Sequence, residues 1–144
     1  LCGKGTKNTM NVKDLFDWYN DKRNTNLELD DFSSLLMMFP SVLVASADGD
    51  FDSLEKQNLA NACYGLEVEP YITCEMYSEL CFLAKSEDED ILNNIFSCIK
   101  AESKDNNEAQ LIVIELMIQM AQASDGISEE ESSKIKEIKQ ILEY

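Results

Sequence analysis

Apolar residues recur at helical spacing along almost the whole chain. Val12, Leu15, Phe16 and Tyr19 stand at i, i+3, i+4 and i+7, one face of a helix. Leu29, Phe32, Leu35, Leu36 and Phe39 repeat the pattern, and Pro40 is expected to interrupt that helix or to open the next at its first turn. Further stripes follow in order. They are Leu54, Leu59, Ala62, Cys63 and Leu66; then Ile72, Met76, Leu80, Leu83 and Ala84; then Ile91, Leu92, Ile95, Phe96 and Ile99. The acidic run Glu87–Asp90 precedes the last of these, where a helix N-terminus favours negative charge. Residues 107–123 are apolar nearly all round, which predicts a helix in the middle of a bundle. Ile135, Ile138, Ile141 and Leu142 mark a final helix with Lys134, Lys136 and Lys139 in its later turns. No segment alternates with period two. The expectation is an all-α single-domain bundle of about seven helices over residues 11–144, with short connections and a flexible arm over residues 1–10.

Charge narrows the partners. The chain has 144 residues, 28 acidic and 12 basic, for a net charge of −16, and 44% of its residues are hydrophobic. That apolar share is too high for a disordered acidic tail. No cluster of Lys and Arg is present to hold nucleic-acid phosphates or an anionic membrane surface. The longest apolar stretch, Leu35–Ala45, is broken by Pro40 and Ser41 and is too short to span a bilayer. No apolar signal segment opens the chain.

Histidine is absent, which removes the usual Ser-His-Asp and Cys-His nucleophile systems and the commonest zinc ligand. Five cysteines occur, Cys2, Cys63, Cys74, Cys81 and Cys98, with no CxxC pair. An odd count without a framework suits a reducing cytosol, with the cysteines as small buried hydrophobes. Cys74 and Cys81 share a helical face but stand about 10.5 Å apart along its axis, too far to bridge.

One pattern occurs twice. Ala47-Asp48-Gly49-Asp50-Phe51-Asp52-Ser53-Leu54-Glu55 and Ser124-Asp125-Gly126-Ile127-Ser128-Glu129-Glu130-Glu131 each follow an apolar helix that ends in small residues. Gly49 and Gly126 can close a helix in the left-handed conformation. Asp52…Glu55 and Ser128…Glu131 read as capping boxes, with Phe51 and Ile127 placed as hydrophobic staples. Asp48 and Asp125 lie at the negative end of a helix, where a carboxylate needs compensation. An Asx-turn supplies it, and so does a bound cation. Oxygen-only ligands suit Ca²⁺ or Mg²⁺, with Asp48, Asp50, Glu55, Asp125 and Glu131 as the candidate metal ligands. The first corner is not an EF-hand. Asp48, Asp50 and Asp52 match loop positions 1, 3 and 5, but Ser53 stands where Gly is needed and Leu59 where Glu is needed.

These two corners resemble the signature of the TerB-like family, the tellurite-resistance TerB proteins and related helical domains, over roughly residues 28–144. The resemblance implies a cytoplasmic helical domain with internal pseudo-symmetry, and a metal-binding or metal-sensing role linked to tellurite or other chemical stress. The family's acidic positions fall on Asp48, Glu55, Asp125 and Glu131; the inserted Asp50 and Ser124 in place of Ala depart from its pattern. No phosphate loop, nucleophile motif or cofactor fingerprint accompanies them, so no enzyme activity is expected. The expected partner is a divalent cation or a basic protein, with a homodimer left open. The alternative function is a metal-free acidic scaffold for protein interaction.

Overall fold

The computed structural model describes residues 10–47, 70–122 and 126–144. Among them are six helices and no strand: α1 (Val12–Arg23), α2 (Leu29–Ala45), α3 (Pro70–Lys85), α4 (Glu89–Ser103), α5 (Asn107–Ala121) and α6 (Glu129–Leu142). The helix expected around Leu54–Leu66 and the arm over residues 1–9 lie outside the described residues. The chain is therefore a helical bundle.

Local chemistry sets the ends. The Asn11 side chain accepts from the Asp14 backbone N–H at 2.8 Å and starts α1. Asn24, at φ 59°, ends it in the left-handed conformation that Asn tolerates. Asp88 accepts from the backbone N–H groups of Asp90 and Ile91, so one member of the acidic run caps α4, Glu89 and Asp90 lie in its first turn, and Glu87 precedes the cap. Asn106 caps α5 through the Ala109 N–H at 3.0 Å.

The middle of the bundle is α2, not the helix the sequence suggested. It packs against all five of its described neighbours. Ten of its 17 residues are buried. Pro40 neither interrupts α2 nor opens a new helix. It is buried inside a continuous helix, although its ring removes the hydrogen bond to Leu36 O and a mid-helix proline costs about 3 kcal/mol. Burial of residues 38–42 around the proline offsets that loss.

The expectation for residues 107–123 is corrected accordingly. In α5 only Val113, Met117, Met120 and Ala121 are buried, against α2 and its neighbours, while Leu111, Ile112 and Ile118 face outward. A helix apolar all round fits the centre only if neighbours surround it, and α2 already occupies that place.

One hydrophobic core joins all six helices. Phe16 and Tyr19 of α1 meet Phe32 of α2 at ring-centroid distances of 5.4 and 5.3 Å. Phe39 of α2 meets Phe96 of α4 edge-on at 5.3 Å. At the C-terminus Tyr144 bonds Ser103 of α4 at 2.8 Å. No described helix is long and apolar enough to cross a membrane.

Candidate functional site

Of the five candidate metal ligands, Asp48, Asp50, Glu55 and Asp125 lie outside the described residues, and Glu131 lies within them. Glu131 sits in the expected capping box. The Glu131 N–H donates to Ser128 Oγ at 3.1 Å, and the Ser128 N–H donates to Glu131 Oε1 at 3.0 Å. Gly126 takes φ 97°, the left-handed region that the corner needs. Ile127 is not a staple. It is exposed, and the position it would clasp, one turn into α6, is the polar and exposed Ser132. Glu131 is only 2% exposed, unusual for a glutamate. Among the described residues no three His, Cys, Asp or Glu side chains gather closely enough to hold a metal ion.

The buried charge lies elsewhere. Glu79 of α3 receives three hydrogen bonds: from Tyr19 Oη at 2.7 Å, from Arg23 Nε at 2.8 Å and from Arg23 Nη2 at 3.1 Å. The Arg23 guanidinium also stacks on the Phe82 ring, 3.6 Å from its centroid. Burial, and then the bond to the Glu79 carboxylate, holds the Tyr19 phenol well above its ordinary pKa; the same carboxylate raises that of Arg23. One turn earlier on α3, Glu75 accepts from the backbone N–H and side-chain amide of Asn26. Two glutamates of α3 thus anchor the end of α1 and the connection that follows it. The three bonds to Glu79 join α1 to α3, so the arrangement is a tie between helices. Sequence reasoning missed it because the partners are 56 and 60 residues apart. The available signal was Glu79 itself, which lies within the apolar stripe Ile72, Met76, Leu80 and Leu83.

An open groove of about 640 Å³ runs between the end of α2, α4 and α6. Leu92, Phe96 and Ile138 form its apolar wall, and Lys100 and Lys134 stand at its edge. Both lysines have counter-ions, Glu143 at 2.6 Å and Glu137 at 3.3 Å. The Lys100 bond holds the Glu143 carboxyl below its ordinary pKa.

The cysteines depart in part from the expected burial. Cys98 is buried, Cys81 half-buried and Cys74 exposed, all three as free thiols; Cys2 and Cys63 lie outside the described residues.

Three of the six exposed large hydrophobic residues among the described ones lie on the outer face of α5. Leu111 is 58% exposed, Ile112 45% and Ile118 37%. Glu108, Glu115 and Gln119 share that face and are exposed as well. Three large aliphatic side chains within two turns thus stand at the surface of the described residues. No family model, curated protein or solved structure matches the chain.

Proposed function

We propose that the chain is a non-enzymatic helical interaction module of the cytosol, which binds a protein partner through an acidic surface with an apolar centre. The observation that carries this reading is the outward aliphatic face of α5, which the bundle leaves uncovered. The net charge of −16 favours a basic partner, and the free thiols of Cys74, Cys81 and Cys98 fit a reducing compartment. The test is a paired substitution, Leu111→Gln with Ile118→Gln, which leaves the charge unchanged. Both sites are exposed, so the melting temperature should stay within about 5 °C of the original. A partner captured by the original chain should be lost by the variant and recovered equally well in EDTA. Capture of the same partner by the variant would refute the module.

A second reading is the cation-responsive module that the TerB-like resemblance implies, linked to tellurite or chemical stress. Its support is the near-complete burial of Glu131 at one of the family's acidic positions, beside the capping bond that its Oε1 accepts from the Ser128 N–H. Under this reading millimolar Ca²⁺ or Mg²⁺ raises the melting temperature by linkage, and Glu131→Gln abolishes the rise. A melting temperature unmoved by Ca²⁺, Mg²⁺, Mn²⁺ and Zn²⁺ alike would remove it.

A further inference from the structure

We infer that the outer face of α5 docks a cationic amphipathic helix rather than a second copy of the chain, and that Glu115 makes the selection. This rests on the interaction-module reading and adds the chemistry of the partner. Glu108, Leu111, Ile112, Glu115, Ile118 and Gln119 recur at spacings of three and four and are exposed. Leu111 and Ile118 are two turns apart, about 10.5 Å along the axis. Glu115 lies one turn from each, on the same face. A helix laid along α5 that covers Leu111 and Ile118 therefore covers Glu115 too.

Covering Glu115 strips water from a carboxylate, which is costly unless a cation replaces the water. Among the described residues no Lys or Arg pairs with Glu115. Residues 107–121 contain two glutamates and no Lys or Arg, and among the described residues neither glutamate has an ion pair. The partner must bring the charge. A second copy does the opposite. A two-fold contact presents a patch to itself, so antiparallel α5 helices crossing at the centre of the stripe set Glu115 against its own mate. A neutral or acidic helix leaves the carboxylate stranded. A helix with aliphatic residues facing Leu111, Ile112 and Ile118, and Lys or Arg facing Glu108 and Glu115, satisfies every group.

The probes are three synthetic helical peptides of about 20 residues, built of Leu and Ala on one face with Lys, Gln or Glu on the flanks. Each is titrated calorimetrically against the full chain at about 0.15 M salt. The Lys peptide should bind at least about tenfold more tightly than the other two. Leu111→Gln with Ile118→Gln should weaken it by a similar factor, and Glu115→Lys should turn the preference towards the Glu peptide. Undiminished binding of the Lys peptide to the Gln variant would mean bulk charge attraction and overturn the docking site. A Gln or Glu peptide bound as tightly, and lost on Leu111→Gln, would overturn the cationic partner while leaving the module intact. A sedimenting dimer abolished by Leu111→Gln would overturn it in favour of self-association. Binding of no peptide would overturn it as well, with the capture experiment deciding the module separately.

Discussion

Arg23→Met should destabilise the bundle by about 3 kcal/mol, more than any other single change to the tie between α1 and α3. The Glu79 side chain is 8% exposed and receives two of its three hydrogen bonds from Arg23. Without the guanidinium, a buried carboxylate keeps one donor, the Tyr19 hydroxyl. The reverse deletion is milder. Arg23 is 30% exposed, so in Glu79→Gln its charge still reaches water and it still stacks on Phe82. Urea unfolding at neutral pH should rank Arg23→Met as the costlier of the two by at least about 1 kcal/mol. The triple replacement Tyr19→Phe, Arg23→Met, Glu79→Leu should recover most of the loss, because an apolar set of similar volume carries no desolvation cost. Equal costs for the two single variants would mean that solvent reaches Glu79 and that the tie behaves as a surface ion pair.

That tie also marks where sequence reading stops. Periodicity places a helix when its apolar residues fall on one face. Leu15 and Tyr19, Ile91, Ile95 and Ile99, and Ile138 and Leu142 are buried as their spacing predicts. Caps are legible for the same local reason: Asp88 and the Ser128–Glu131 pair act on N–H groups two or three residues away. What periodicity lacks is the identity of the neighbour. Residues 111–121 carry enough aliphatic side chains for a central helix, yet α2 fills the centre, so Leu111, Ile112 and Ile118 remain outside. Pro40 misleads similarly. Its missing N–H is a local penalty, and burial of the residues on either side of it decides the outcome. For the candidate site, Glu131 could be followed from sequence into structure, while Asp48, Asp50, Glu55 and Asp125 fall outside the described residues. The face that carries the proposed function was visible in the sequence as apolar excess, but its exposure depends on which helix occupies the core.

The second large effect is alkaline. Burial, aided by the charge of Glu102, pushes the Cys98 thiol up from 9.0 to about 11. Burial and the Glu79 bond push the Tyr19 phenol up further. Both groups are neutral when protonated, and the folded state holds the proton more tightly than the unfolded chain does. The stability linked to each is complete below its unfolded pKa and is lost as pH rises through the folded one. For Cys98 the window runs from about pH 9 to about 11, and the shift corresponds to roughly 2–3 kcal/mol. For Tyr19 the loss begins near pH 10, where the unfolded phenol ionises. Denaturant titrations should therefore give a flat stability to about pH 8 and a steep decline above pH 9. Cys98→Ala starts lower, because it leaves a small cavity, but should decline less between pH 9 and 11. Tyr19→Phe should flatten the curve above pH 10. Parallel curves for Cys98→Ala and the original chain would show that the thiol ionises as freely folded as unfolded. The core around Cys98, Ile95 and Ile99 would then admit water, contrary to its complete burial.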